Sequence, residues 1–262
     1  MRILIKLGGT LLDSAETRLR LACEIAALAQ DGHKVVVVHG GGKQMTRYLA
    51  EHGIESTFVN GLRITTKEIL DAVLKVFAGT VNQELVAAFV AAGAAAVGLS
   101  GMDALLAEAE PMSPELGFVG RTVHSDARLL ELLTGNGYLP VVACIAGDRT
   151  GQIYNVNADQ MAVACAASFA AARLLFLTDV EGVRGPKNET LASLTPEQCA
   201  ELIASGVAAG GMEAKLNAAM DALYRGVSEV VIAPGALPGV VGKLMRGETI
   251  GTRLLALRAV ST

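Results

Sequence analysis

"VVVVHGGGKQ" (35–44) runs four valines and a histidine straight into three glycines and a lysine. Residues this apolar and β-branched read as a strand buried on both faces, as in a parallel sheet covered by helices. The glycines place bare backbone at the strand's end, yet neither common phosphate motif accounts for them. A P-loop needs a glycine five residues before its Gly-Lys pair and Ser or Thr after it, and Val37 and Gln44 stand there. A dinucleotide fingerprint needs glycine at its sixth place, which Met45 occupies.

The same grammar extends outward. "RILIKL" (2–7), "AAVGLS" (95–100), "YLPVVACI" (138–145), "RLLFLT" (173–178) and "SEVVIA" (228–233) are further short apolar runs, alongside "KVVVVH" (34–39). Helical spacing fills 14–31, 66–92, 126–135, 157–171, 195–205 and 213–225. Strands alternating with helices predict an α/β fold on a mainly parallel sheet. The Gly-, Pro- and polar-containing stretches around 104–124 and 146–155 read as hairpins or loops decorating the first half. One continuous sheet with two lobes is expected, with no low-complexity linker and no internal repeat.

Composition narrows the class. The 262 residues are 52% hydrophobic and contain no Trp, so the core is expected to be aliphatic. A net charge of −4 gives no basic face for a nucleic acid. Cys23, Cys144, Cys165 and Cys199 are scattered, which argues against both a zinc site and a disulfide framework. No apolar run is read as reaching the roughly 18 residues of a membrane span. "MRILIKLGG" (1–9), stopped by Lys6, does not read as a signal peptide. A soluble cytoplasmic protein is the expectation.

In open α/β sheets, ligands sit outside the carboxyl ends of the strands. Gly8-Gly9 and Gly40-Gly41-Gly42 follow two early strands, and each is either a tight turn or a nest of backbone donors for an anion. Lys6 closes an apolar strand, where a charge is costly unless it reaches water or a site. Arg63, in the short polar loop "NGLRIT" (60–65), is either solvated or a bidentate carboxylate ligand. Asn157 reads as a helix cap with Asp159 in the first turn, and Asn155 straddles the same turn. Asp179 opens "TDVEGV" (178–183) and serves a nucleotide or a turn. Lys215 follows a glycine-opened helix start in "GGMEAKLNAAMDA" (210–222), where a cation is disfavoured unless it faces bound phosphate. Lys43 reads as a bystander.

"IKLGG", "VVVHGGGK", "NGLRIT", "AVGLSGMD", "NVNADQ", "LTDVEGV" and "GGMEAKLNAA", in this order, resemble the amino acid kinase family across essentially the whole chain. The pairing of "HGGGK" with "NGLR" and "NVNADQ" resembles the branch that phosphorylates N-acetyl-L-glutamate in arginine biosynthesis. The resemblance implies a three-layer αβα sandwich. It places the acyl substrate in an N-terminal lobe (1–172), which also dimerises, and ATP with Mg²⁺ in a C-terminal lobe (173–262). It implies Lys6 and Lys215 as stabilisers of the transferred phosphoryl, oriented by Asp159. Gly41, Gly42, Arg63 and Asn155 would hold the substrate. Gly8, Gly9, Asp179, Val180, Glu181, Gly182, Val183, Arg184, Val207, Ala208 and Ala209 would border the nucleotide, with no dedicated metal ligands.

Two departures stand out. Ala104 occupies a place where the family often carries glycine. The chain also starts directly at its first strand, without the helix of arginine-inhibited members, so the resemblance implies an arginine-insensitive homodimer. Competing readings are a kinase for carrier-linked aminoadipate or glutamate, a uridylate kinase, a non-catalytic nucleotide and carboxylate sensor, and a Rossmann oxidoreductase. "NGLRIT", the absence of a visible base-recognition site, the two lysines and the failed fingerprint weigh against them in turn.

Overall fold

The computed structural model describes residues 1–255, and the strand–helix alternation is present throughout. The N-terminal part runs β1 (Arg2–Leu7), α1 (Ala15–Gln30), β2 (Lys34–His39), α2 (Gly42–Glu51), β3 (Phe58–Val59), β4 (Leu62–Arg63), α3 (Lys67–Val73), α4 (Asn82–Ala91) and β5 (Ala95–Ser100). Next come β6 (Ala107–Pro111), β7 (Val119–Ser125), α5 (Arg128–Gly135), β8 (Tyr138–Ala143), β9 (Ile145–Gly147), β10 (Ile153–Val156) and α6 (Ala158–Ser168). The remainder is β11 (Arg173–Thr178), β12 (Ser193–Leu194), α7 (Pro196–Ala204), α8 (Gly211–Tyr224), β13 (Glu229–Pro234), α9 (Val240–Met245) and β14 (Thr252–Leu255). Positions 256–262 of the expected C-terminal lobe lie outside the described residues.

Eight strands form one sheet in the order β12-β14-β13-β11-β1-β2-β8-β5, and only the β13–β14 pairing is antiparallel. β1 lies at its middle, in parallel register with β11 on one side and β2 on the other. The aliphatic runs of β1, β2, β8, β11 and β13 are almost wholly buried, as strands between two helical layers must be. On one side, helix α1 packs against both α4 and α9. On the other, α6 packs on β1, β2 and β11 and against α8, while Arg2 ties α5 to α6 through Glu131 and the Phe169 carbonyl.

Three expectations change. First, the stretches around 104–124 and 146–155 are not loose decoration: β6, β7, β9 and β10 close a small barrel. The run 138–145 accordingly breaks at Cys144, leaving β8 in the large sheet and β9 in the barrel. Second, Lys67–Ala91 is a continuous helical span of 25 residues, long and apolar enough to cross a membrane. It is a core helix: Val73, Val76, Phe77, Val81, Leu85 and Phe89 are buried, while Lys67, Glu68, Asp71, Lys75 and Glu84 face outward. Within it, Leu74–Val81 winds as a π-helix, a feature frequent near functional sites. Third, α2, α9 and β14 are present although apolar periodicity did not suggest them.

Candidate active site

The exits of β1 and β2 lie side by side because those strands pair in register from Arg2↔Lys34 to Leu7↔His39. Their glycine loops therefore abut, and a Cβ placed on Gly9 would sit 3.5 Å from the Gly42 nitrogen. Gly8 takes no part in a donor nest, since its N–H bonds the Leu177 carbonyl at 2.8 Å and so continues the sheet. Gly41 is required by close approach: a Cβ there would come within 2.7 Å of the Phe77 ring. Lys43 is exposed and forms no ion pair among the described residues.

Behind the loops three charges converge. Lys6 Nζ lies 2.7 Å from Oδ1 of Asp159, and Lys215 Nζ lies 3.4 Å from Oδ2. Lys6 and Asp159 are 7% and 6% exposed, so the triad carries a net positive charge with little water around it. Asp159 stands in the first turn of α6, where Asn157 caps the helix by accepting from the Asp159 and Gln160 amides. Burial alone would raise the Asp159 carboxyl, but Lys6, then Lys215, outweigh it and hold the group below the ordinary carboxylate value. Lys215 stands just beyond the first turn of α8, so its ammonium and that helix's N-terminal dipole present like charge to the same place.

Arg63 is not in a solvated loop. It lies in the β3–β4 hairpin and is 8% exposed. Its guanidinium donates to Thr46 Oγ1 at 2.7 Å and to Ser56 Oγ, and it stacks 4.5 Å from the Phe58 ring centre. Every partner is neutral, and no carboxylate pairs with it among the described residues. Burial pulls its pKa below the usual guanidinium value. A cavity of about 170 Å³ opens beside it, lined by Gly41, Gly42, Arg63, Phe77, Asn155 and Asn157 among others. The Asn155 amide donates to Thr65 Oγ1 at 3.0 Å, which leaves its carbonyl oxygen available.

This cavity shares Gly61, Leu62 and Asn157 with a larger cleft of about 480 Å³, whose walls include Asp159, Lys215 and the α8 entry Gly210-Gly211. A further cavity of about 430 Å³ is lined by Asp179, Val180, Glu181, Gly182, Arg184, Val207, Ala209 and Met212. Val183 and Ala208 do not reach that wall. Both side chains are buried, and their N–H groups are committed to Thr252 Oγ1 and the Leu202 carbonyl. No cluster of three or more His, Cys, Asp or Glu residues among those described could hold a metal, and Asp159 is occupied by two lysines.

Sequence comparison matches residues 1–234 to the amino acid kinase family. The chain is 62% identical over 255 residues to an acetylglutamate kinase of Solibacter usitatus, an alignment covering 97% of this chain and 99% of that one. The chain belongs to the amino acid kinase family. It is also 45% identical to the acetylglutamate kinase of Acidobacterium capsulatum, over 98% of this chain and all of that protein. Among solved structures it is similar to the N-acetylglutamate synthase of Neisseria gonorrhoeae in complex with coenzyme A and N-acetyl-glutamate. That match has a TM-score of 0.86 at 26% identity and covers 97% of this chain and 59% of the other. A Giardia carbamate kinase shares the fold at 16% identity, with a TM-score of 0.72 over 98% of this chain and 99% of that one. The mostly parallel sheet is thus that of an amino acid kinase.

Two residues near this candidate site escaped notice in the sequence. His39 is fully buried, and desolvation pushes its pKa down to about 4 despite an opposing bond to the Gly40 carbonyl. Asn82, also buried, donates to it from the end of the π-helix. The signals were there: a histidine closing a valine run, and an asparagine inside an apolar helix.

Proposed function

We propose that this chain transfers the γ-phosphoryl of ATP to the side-chain carboxylate of N-acetyl-L-glutamate, giving N-acetyl-L-glutamyl 5-phosphate for arginine biosynthesis. The observation that carries this reading is Arg63, a buried guanidinium without an acid, opening on a small cavity beside a glycine nest. A buried charge without a counter-ion is costly, so an anionic ligand is what completes it. At about 170 Å³ the cavity is smaller than the roughly 300–1,000 Å³ that suits drug-sized ligands, which favours a free small acceptor over a carrier-linked one. The relatives that are 62% and 45% identical to the chain carry the name acetylglutamate kinase.

The chemistry asks little of the protein beyond position and charge. A Glu-like carboxylate titrates near about 4.3 and is already a nucleophile at neutral pH, so no general base is required. His39 is neutral, and both its ring nitrogens are engaged inside the core. Arg63, Asn155 and the Gly41 and Gly42 amides hold the acceptor. Lys6 and Lys215 draw charge from the phosphoryl in flight, while Asp159 keeps the two ammoniums apart and aligned. The nucleotide occupies the cavity bordered by Asp179–Arg184 and Val207–Ala209, and Gly9 faces its phosphates. Mg²⁺ travels with those phosphates rather than with a protein cage.

Residues 1–172 and 173–262 act as acceptor and nucleotide lobes on a common sheet. The cytoplasm is the place of action. A homodimer is favoured by β5, whose outer rim is unpaired at the end of the sheet, with Val90 and Tyr138 exposed beside it.

The test is ADP release from MgATP with N-acetyl-L-glutamate, aspartate, UMP, carbamate or no acceptor, with hydroxylamine trapping any acyl phosphate. ADP and hydroxamate with N-acetyl-L-glutamate alone are expected. Turnover only with another acceptor would overturn the substrate, and none at all would overturn the kinase reading.

A further inference from the structure

The hydrogen bonds of His39 determine its tautomer. Nδ1 lies 2.8 Å from the Gly40 carbonyl oxygen, and Nε2 lies 2.9 Å from the Asn82 amide nitrogen. That amide nitrogen also donates to the Val141 carbonyl at 2.9 Å. Turning the Asn82 amide over would set its oxygen against Val141's, so its nitrogen must face the ring. A carbonyl only accepts and an amide nitrogen only donates. The imidazole is therefore neutral, with its proton on Nδ1 and its lone pair on Nε2.

The consequence runs along the backbone. A trans peptide is planar, with its C=O and N–H directed to opposite sides. Pulling the Gly40 oxygen toward the buried ring turns the Gly41 N–H of that same peptide away from it. Gly41 lines the acceptor cavity, and its N–H meets no protein acceptor among the described residues. The π-helix holds this arrangement at two points, because it supplies Phe77, against which Gly41 packs, and leads directly into Asn82.

We infer that His39 is a positioning residue for phosphoryl transfer: its Nδ1–H holds the Gly40 carbonyl inward and thereby aims the Gly41 N–H at an oxygen of the bound acceptor. This deepens the acceptor-site reading and rests on it. Asn82 sets the tautomer, and the ring touches neither substrate.

Two amide substitutions separate positioning from mere filling of the core. In His39→Asn the side-chain nitrogen falls near the place of Nδ1 and keeps the bond to Gly40. In His39→Gln the side-chain oxygen can take the place of Nε2 and accept from the Asn82 amide, so only the side facing Asn82 is kept. Expected is a rise of about tenfold in KM for N-acetyl-L-glutamate in His39→Gln, the loss of one hydrogen bond to a charged ligand. KM for MgATP should stay within about twofold in both variants, and His39→Asn should stay close to the parent for the acceptor. Equal effects in the two variants, or none in either, would overturn the inference. A second reading needs no variant: ¹⁵N NMR of the intact protein should show His39 protonated at Nδ1 and bare at Nε2, and the reverse would also overturn it. The NMR result is independent of the acceptor's identity. Failure of the unsubstituted protein to use N-acetyl-L-glutamate would count against the proposed function alone, and the KM split would then be read with whichever acceptor turns over.

Discussion

Lys6, Asp159 and Lys215 share a single carboxylate between two ammoniums, so removing one lysine leaves the other still paired. Lys6→Ala or Lys215→Ala should therefore leave a folded protein whose kcat falls by about 10²–10³, the scale of losing one preorganised charge at a transition state. KM for MgATP should change much less, which steady-state kinetics would check. Equal loss in both constants would place the lysines in ground-state binding. His39 has a separate signature in stability. Its imidazole titrates at about 4 in the fold and near 6.5 when unfolded, so between these values the unfolded chain binds more protons. Stability then falls with pH, by about 3 kcal/mol from pH 6.5 to 4. Asp159, held below the ordinary carboxylate value, loses its contribution only at lower pH. Urea melts across the window should show this slope in the parent and its absence in His39→Asn. Lys6, Asp159 and Lys215 were legible in the sequence because a charge closing an apolar strand or standing near a helix start stands out. His39 was not, because its burial and its two partners are set by the fold. Gly8, Val183 and Ala208 were not, because whether an N–H is free or spent on Leu177, Thr252 or Leu202 is decided by neighbours distant in the chain.

At the scale of elements, the large-sheet strands were legible because their apolar runs are local and nearly unbroken. The barrel was not. β6 reads "AEAEP", and closure depends on pairings such as Asn155↔Val119 and Glu108↔Gly147 that no local pattern announces. α2 was hidden by the glycines that start it and the polar residues that follow. The approach to β6 also explains the departure at Ala104, which adopts φ +53° and ψ +26°, with Leu105 likewise at φ +52°. Left-handed backbone costs a residue with a Cβ about 1–2 kcal/mol, partly offset by glycine's greater freedom when unfolded. Ala104→Gly should therefore be neutral to stabilising by up to about 1 kcal/mol, raising Tm by roughly 2–4 °C for a chain of this size. Differential scanning calorimetry would decide; a clear loss of stability would show that the alanine methyl group contributes packing that outweighs its strain.

For the whole molecule, strand order could be expected only in outline from alternation, since it depends on which distant runs pair. The free rim of β5 is the feature alternation does not reveal. Light scattering should give twice the 27.1 kDa chain mass, and a Tyr138→Lys change on the exposed patch should shift the population toward monomer. A monomeric parent would remove the dimer from the proposal. The central place of β1 has a bearing on biosynthesis. β1 leaves the ribosome before the other described strands and can pair early with β2, yet its other neighbour begins at Arg173. At about 5–20 residues per second, that edge waits roughly 10–30 seconds for its partner, and until then it is an open, mostly apolar strand with Lys6 still lacking Asp159. The centre of the finished enzyme is thus the most vulnerable edge of the nascent chain, and a chaperone that shields it should matter most before β11 emerges.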